Sequence, residues 1–296
     1  MQMEKNFKLS RREFLKDSAI GSIGLLGGIN VVGSCSSSRS RKEELQLPEL
    51  LDKAIDGTVL KAGLIGCGGR GTGAAMNFLD SGPNLQVVAL GDVFQDKLDN
   101  CREILKKERN VEIPDENCFI GFDSYEKVID SGVDVVLLCT PGHFRPAHVE
   151  AAVNAKKHIF MEKPIAVDPV GVRRVLAAVK RAKTLNLNII SGTIRRSQKD
   201  YMETRRRVLN DEIGDIVGAN IIRNGGALWH RSRKSGWTDM EYMLRNWANF
   251  CWLSGDLLTE VFVHEIDVML WYLEQRPTKA TAWGGRQRGV SGDVYD

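Results

Sequence analysis

A glycine-rich turn between an apolar segment and a helical segment constrains the fold more than any other feature of this chain. The turn is Gly66-Cys67-Gly68-Gly69-Arg70-Gly71, after a strand predicted over 59–65 and before a helix predicted over 72–80. In this setting the G-x-G-x-x-G spacing is typical of the first βα unit of a dinucleotide-binding domain. Gly66 permits the tight turn, Gly68 lets backbone N–H groups approach a pyrophosphate, and Gly71 allows close helix–strand packing. Gly69 and Arg70 complete this candidate phosphate-binding loop; the alternative is a turn that binds no ligand.

A carboxylate follows the next predicted strand, over 85–90. Asp92 lies 21 residues beyond Gly71. An acidic side chain at this place accepts hydrogen bonds from the adenosine ribose hydroxyls and repels a 2′-phosphate. The sequence therefore predicts NAD, rather than NADP, as the cofactor.

Apolar segments alternate with amphipathic helical segments from residue 59 to residue 165. Further strands are predicted over 133–139 and 158–161, with a helix over 146–155 between them. This alternation favours a doubly wound parallel sheet with helices on both faces, an α/β domain that we place at 59–185. Because ligands lie beyond the carboxyl ends of such strands, Thr140, Pro141 and His143 are predicted cofactor neighbours.

The pattern changes after residue 185. Strands are predicted over 189–193 and 216–223, followed by a loop over 225–252 that is rich in tryptophan and arginine. Trp229 and Arg245 are candidate carbohydrate-binding residues, because an indole ring can stack on a sugar and a guanidinium can donate to hydroxyls. Ordinary core packing is the alternative for each tryptophan.

Three polar residues near the end of the chain share one predicted helical face. Glu260, His264 and Asp267 are spaced i, i+4 and i+7. A carboxylate beside an imidazole fixes its tautomer and supports acid–base chemistry. His264 and Glu260 are therefore candidate catalytic residues, and Asp267 is a candidate substrate-binding residue.

Charge and cysteine content exclude other classes of function. The net charge is only +3 and no basic stripe with interleaved aromatic residues occurs, which argues against a nucleic-acid partner. None of the six cysteines forms a C-x-x-C pair, and no metal site is predicted.

The first 35 residues resemble an export signal. Residues 10–16, Ser-Arg-Arg-Glu-Phe-Leu-Lys, match a twin-arginine motif, and a glycine-rich apolar stretch follows over 19–33. Val32-Gly33-Ser34-Cys35 resembles a lipoprotein cleavage box; plain cleavage near the same place is the alternative. We expect recognition by the twin-arginine export machinery, a periplasmic or exported location with lipid anchoring at Cys35, and a flexible linker over 36–58.

Glu162-Lys163-Pro164 directly follows the strand predicted over 158–161. With the motifs above, it resembles the family of glucose–fructose oxidoreductase, inositol dehydrogenase and rhizopine-catabolism proteins (Gfo/Idh/MocA), over almost everything after residue 59. The residues that carry the resemblance are the turn 66–71, Asp92, Thr140-Pro141, His148, Ala151-Ala152, Glu162-Lys163-Pro164, Gly192-Thr193, Trp237-Thr238, Arg245-Asn246-Trp247 and the segment 260–267.

The resemblance implies a Rossmann NAD-binding domain followed by an α+β domain with an open mixed sheet, at 186–296. Glu162 and Lys163 would border the cofactor, and Lys163 with His264 would handle the proton of the reacting hydroxyl. Glu260 stands where the family often has aspartate. Relatives continue beyond the point matched by Asp296, so this second domain is expected to be incomplete here, and relatives associate through its sheet into homo-oligomers.

The sequence is compatible with three functions. The first is NAD-dependent oxidation or reduction of a hydroxyl on a sugar or sugar derivative. The second is redox-neutral glycoside hydrolysis, with transient oxidation by retained NAD followed by elimination. The third is nucleotide binding without turnover.

Overall fold

Six parallel strands form one sheet in the computed structural model, which describes residues 57–226, 228–287 and 292–295. The order β3-β2-β1-β4-β5-β6 reverses direction between β1 and β4, which opens a crevice at their carboxyl ends. The strands are β1 (Leu60–Ile65), β2 (Leu85–Asp92), β3 (Cys118–Ile120), β4 (Val135–Leu138), β5 (His158–Met161) and β6 (Ile189–Ser191).

Helices connect the strands, as parallel pairing requires. The longest, α5, begins with two local signals: the Asp168 carboxylate accepts a hydrogen bond from the Gly171 N–H (2.7 Å), and Pro169 occupies the first turn. The connecting helices are α1 (Gly69–Asp80), α2 (Gln95–Arg109), α3 (Ser124–Asp130), α4 (Arg145–Asn154) and α5 (Pro169–Thr184).

Apolar side chains cover both faces of the sheet. Along β4, Val136 and Leu138 pack into one buried cluster with Val149 of α4, whereas Leu137 packs into a second cluster with Leu98 of α2. Each fully buried leucine of this kind contributes about 1.5–3 kcal/mol. Burial on both faces explains why the strands are nearly continuous apolar runs.

The remaining described helices follow β6. Among them, α10 packs beside α6, and the Tyr272 hydroxyl donates to the Tyr201 carbonyl at 2.8 Å. These helices are α6 (Lys199–Leu209), α7 (Asp239–Arg245), α8 (Cys251–Ser254), α9 (Asp256–Glu260) and α10 (Val263–Leu273).

The doubly wound parallel sheet is confirmed, with two corrections beyond residue 185. The predicted boundary is one strand early, because β6 pairs with β5 in the same sheet. The strand predicted over 216–223 is wrong, and the described ranges contain no second sheet. Val217 is 99% exposed there and Ile222 is 76% exposed. An alternating apolar pattern forms a strand only when a neighbouring strand accepts its backbone hydrogen bonds, and no described strand lies beside it.

The predicted export signal, the cleavage box at Cys35 and most of the linker over 36–58 lie outside the described residues. They stay predictions. Within the part of the chain that the structure describes, no helix has both the length and the apolar character needed to span a membrane.

Candidate cofactor and active site

The glycine turn has the geometry that its spacing predicts. Gly66 has φ +98°, and a Cβ on Gly71 would lie 1.8 Å from the Gly66 carbonyl oxygen, so α1 can begin this close to β1 only without a side chain there. A Cβ on Gly68 or Gly69 would meet no atom within 4 Å. The backbone at these two residues therefore forms an open floor at the N-terminus of α1, where phosphates are favoured.

The Asp92 carboxylate lies beside this floor and accepts two backbone hydrogen bonds. Its Oδ2 accepts a hydrogen bond from the Cys67 N–H (2.6 Å), and its Oδ1 accepts one from the Phe94 N–H (2.9 Å). Burial raises the pKa of the Asp92 carboxyl, and these backbone hydrogen bonds oppose the rise. A carboxylate has about four acceptor sites, so capacity remains for ribose hydroxyls.

A cavity of about 360 Å³ lies over the turn, within the range of ligand pockets. The glycine floor, the helix N-terminus and the Asp92 carboxylate together fit a dinucleotide. The Rossmann half contributes Gly68, Gly69, Arg70, Asp92, Thr140, Pro141 and His148 to its lining; the second half contributes Trp229, Arg231, Leu244, Arg245 and Trp247.

Arg70 and Glu162 join the glycine turn to the end of β5. Arg70 Nε donates to Glu162 Oε1 at 2.6 Å, and Glu162 is buried. Glu162 was predicted to contact the cofactor, but it does not line the cavity. It instead binds Arg70, which does line the cavity. Its position is maintained by the absence of a side chain on Gly192, where a Cβ would lie 2.9 Å from Glu162 Oε2.

Lys163 and Glu260 form a half-buried ion pair at the carboxyl end of β5. Lys163 Nζ lies 2.6 Å from Glu260 Oε1 and also donates to the Glu260 backbone carbonyl. That carbonyl is free because α9 ends at Glu260, and the last carbonyls of a helix have no intrahelical partner. Glu260 and His264 were predicted on one continuous helix; that prediction is wrong, since α10 begins at Val263.

His264 lies close enough to Lys163 for its charge to affect the imidazole. Burial is the largest cause that lowers the pKa of His264, and the Lys163 ammonium is the next. The imidazole is therefore predominantly neutral at neutral pH and able to accept a proton. Burial also raises the pKa of Glu260, while Lys163 opposes the rise.

Arg145 connects the cofactor crevice to the lysine, a role that the sequence alone did not reveal. The side chain is almost fully buried, and its guanidinium donates to the carbonyls of Thr140 and Pro164. These two carbonyls belong to the loops after β4 and β5. Arg145 thus fixes the residue after Lys163 relative to the loop that lines the cavity.

Comparison with known proteins identifies the domain around this crevice. The family model GFO_IDH_MocA, described as an oxidoreductase family with an NAD-binding Rossmann fold, matches residues 60–188. We use the term family domain for residues 60–188, the part of the chain that this model matches. Its cofactor is NAD, in agreement with the prediction from Asp92.

Characterised relatives extend the similarity into the second half. The chain is 25% identical over 239 residues to myo-inositol 2-dehydrogenase of Thermotoga maritima, covering 79% of this chain and 62% of that protein. It is 26% identical over 237 residues to inositol 2-dehydrogenase of Salmonella paratyphi B, covering 80% and 61%. The chain thus spans less than two thirds of the length of these relatives.

A solved structure shares the fold. Myo-inositol 2-dehydrogenase from Lactobacillus plantarum superposes with a TM-score of 0.55 at 25% identity, covering 74% of this chain and 58% of that one. Scyllo-inositol dehydrogenase from Lactobacillus casei, solved with bound NAD(H) and scyllo-inositol, has a TM-score of 0.54 at 24% identity, covering 73% and 57%.

The structure places some of the other predicted site residues in the cavity lining and others outside it. His143 is exposed and contacts Trp252, with ring centroids 5.0 Å apart; it does not line the cavity. Trp229 and Arg245, predicted to bind substrate, line the cavity, whereas Lys163 and His264 do not. Asp267 pairs with Arg196 through two hydrogen bonds of 2.7 and 2.8 Å, an interaction across the second half that its spacing did not reveal.

Glu265, which lies next to His264, is a further charged residue of this region that was not predicted from the sequence. Its Oε1 accepts hydrogen bonds from Arg195 (2.7 Å) and from Arg223 (2.6 Å). Its negative charge raises the pKa of His264, against the lowering by burial and by Lys163. The helical pattern selected positions 260, 264 and 267 and passed over 265. Within the described residues, no group of three or more histidine, cysteine or acidic side chains is placed to hold a metal ion.

His148 should make the stability of the family domain depend on pH. Its ring stacks on Tyr125 at 4.3 Å, and burial is the main cause that lowers its pKa from 6.5 to about 4. Because the unfolded chain then binds the proton first, the free energy of unfolding should fall as the pH drops from 6.5 towards 4, by about 3 kcal/mol in total. Urea unfolding of wild type and His148→Phe between pH 7 and pH 4 checks this. An equal loss in both proteins would contradict the assignment to His148.

Proposed function

We propose that this protein is an NAD-dependent oxidoreductase that acts on a secondary hydroxyl of a carbohydrate or cyclitol. The observation that carries the proposal is the Lys163–Glu260 ion pair with a neutral His264 beside it, at the end of the strand next to the cofactor crevice. During oxidation of an alcohol, a proton acceptor takes the hydroxyl proton and a cation stabilises the negative charge that develops on the oxygen.

Lys163 would hold the reacting oxygen. Its ammonium is oriented by the Glu260 carboxylate and by the carbonyl at the end of α9, and one of its three N–H bonds remains for a substrate oxygen. A hydrogen bond from an ammonium stabilises negative charge on the oxygen as its proton leaves. Glu260 would therefore act by positioning Lys163.

His264 would accept the hydroxyl proton. Its lowered pKa keeps the imidazole neutral. The Lys163 charge lowers this pKa, whereas the Glu265 charge raises it. When bound, NAD supplies the acceptor for the hydride that leaves the carbon of the same hydroxyl. Arg145 and the Arg70–Glu162 pair would hold the loops that line the cavity in a fixed position relative to Lys163.

The names of the relatives support a polyhydroxylated substrate. The Thermotoga and Salmonella proteins are inositol dehydrogenases, and the similarity to them covers about four fifths of this chain. Arg195 and Arg196 lie near the same helix α10, where they bind Glu265 and Asp267. Ion-paired side chains of this kind suit the recognition of neutral hydroxyls.

A cofactor and substrate assay tests the proposal. Purified protein is analysed for bound NAD by mass spectrometry and then incubated with myo-inositol and a panel of sugars, while absorbance at the wavelength of NADH is followed. We expect bound NAD to be reduced by at least one member of the panel. Incubation with aryl glycosides and no added NAD is the second arm: sustained release of the leaving group without accumulation of a keto sugar would overturn the oxidoreductase in favour of a redox-neutral glycosidase.

A further inference from the structure

Residues from the second half of the chain close the cavity on the side of Asp92. Trp229, Arg231, Arg245 and Trp247 line it together with Phe94, which follows Asp92 by two residues. In a doubly wound fold the adenosine ribose lies beyond the strand that ends in the acidic residue. These residues of the second half therefore lie on the side of the cavity where the adenosine end of the cofactor is expected.

Arg245 binds this side of the cavity to α2 of the Rossmann half. Its Nη1 and Nη2 donate to the two carboxylate oxygens of Asp96 at 3.1 and 2.9 Å, and its Nε donates to Glu241 at 2.9 Å. The guanidinium carbon lies 3.9 Å from the centre of the Phe94 ring, and the arginine side chain is only 15% exposed. The hydrogen bond from Arg245 lowers the pKa of Asp96. Two-point pairing with stacking is the geometry in which arginine binds a carboxylate most strongly.

Two tryptophans and a fixed loop complete the enclosure. The rings of Trp229 and Trp247 meet edge to face with centroids 6.1 Å apart, and Trp229 is 42% exposed although it lines the cavity. The loop that carries Trp229 is held in place by buried amides: Asn246 bonds the N–H and the carbonyl of Arg231, and Asn249 donates to the Trp229 carbonyl at 2.9 Å. An exposed indole on a fixed loop beside a nucleoside subsite is suited to contact a base.

We propose that residues 229–247 form the outer wall of the adenosine subsite, with Trp229 and Trp247 in contact with adenine, and that the Arg245–Asp96 ion pair holds this wall closed and retains NAD. The inference rests on NAD as the cofactor of the family domain and is independent of the substrate. It gives Trp229 and Arg245 a cofactor role in place of the substrate role that the sequence predicted.

Ligand fragments and dissociation rates test the wall directly. Dissociation of NADH is followed by stopped-flow fluorescence with excess NAD as competitor, and AMP and nicotinamide mononucleotide are titrated separately by calorimetry. Asp96→Asn is expected to raise the NADH dissociation rate about tenfold, since it removes a charge-assisted pair. Trp229→Ala is expected to weaken AMP binding about tenfold and to leave nicotinamide mononucleotide binding within about twofold.

Matched variants separate this effect from a general loss of structure. Asp99→Asn changes another exposed aspartate of α2, which accepts a hydrogen bond from Gln95, and should keep the wild-type dissociation rate. Trp229→Phe keeps an aromatic face and should retain most of the AMP affinity. Unchanged rates in Asp96→Asn, or equal weakening of AMP and nicotinamide mononucleotide in Trp229→Ala, would overturn the wall while leaving NAD binding intact. A wild-type protein that binds neither NADH nor AMP would overturn the NAD assignment itself.

Discussion

Lys163→Met is expected to lower kcat by about 10³-fold while the dissociation constant for NAD stays within about threefold of the wild-type value. The loss follows from the geometry, because Lys163 is the cation whose position is set by both the carboxylate and the carbonyl of Glu260. The cavity that fits the dinucleotide is lined by other residues, so cofactor binding should survive. Single-turnover reduction of bound NAD, with a substrate found in the panel, measures the effect.

Two further variants make this result specific. Lys157→Met removes a lysine from the opposite end of the same strand, just before His158, and should keep wild-type kcat. Lys163→Arg keeps a cation of different shape and should restore little activity, because a planar guanidinium cannot replace a compact ammonium between two acceptors. A Lys163→Met variant with more than about a tenth of the wild-type kcat would contradict the catalytic role.

Gly71→Ala is expected to abolish NAD binding and to destabilise the family domain by several kcal/mol. A Cβ at this position would lie 1.8 Å from the Gly66 carbonyl oxygen, a backbone atom that cannot move without displacing the turn. Thermal unfolding and calorimetric titration with NAD measure the two effects.

A second glycine in the same turn separates binding from folding. A Cβ on Gly68 meets no protein atom within 4 Å and its φ is −69°, so Gly68→Ala should fold normally. The same Cβ projects from the floor of the cavity, so NAD affinity should fall about tenfold or more through lost phosphate contacts. Gly73→Ala, one turn further into α1, should change neither property adversely. Normal NAD affinity in Gly68→Ala would contradict the phosphate-binding role of the turn.

Several elements of the family domain were predictable to within a few residues because their signals are local. The strand predicted over 158–161 coincides with β5, and the helix predicted over 146–155 differs from α4 by one residue at each end. The glycine turn and Asp92 were predicted together with their geometry, since a tight turn and a close helix–strand contact each require glycine at a defined position.

Contacts between distant segments were not predictable in the same way. Arg145 bonds two loops that follow different strands, and Arg245 reaches Asp96, which lies 149 residues away in the chain. Nothing in the local pattern of either arginine shows which distant acceptors it binds. The break between α9 and α10 was missed for a related reason: the carbonyl it frees is satisfied by Lys163, a residue from the other half of the chain.

The amino-acid sequence by itself therefore determined the parallel sheet and the cofactor loop, and it made Lys163 and His264 candidates for the chemistry. Backbone conformation and strand burial depend on residues close together in the chain, and such patterns are visible in one dimension. Only the tertiary structure decided which charges meet. It placed Lys163 on Glu260, Glu162 on Arg70 and Arg245 on Asp96, because a salt bridge depends on distances in space that the order of residues does not record.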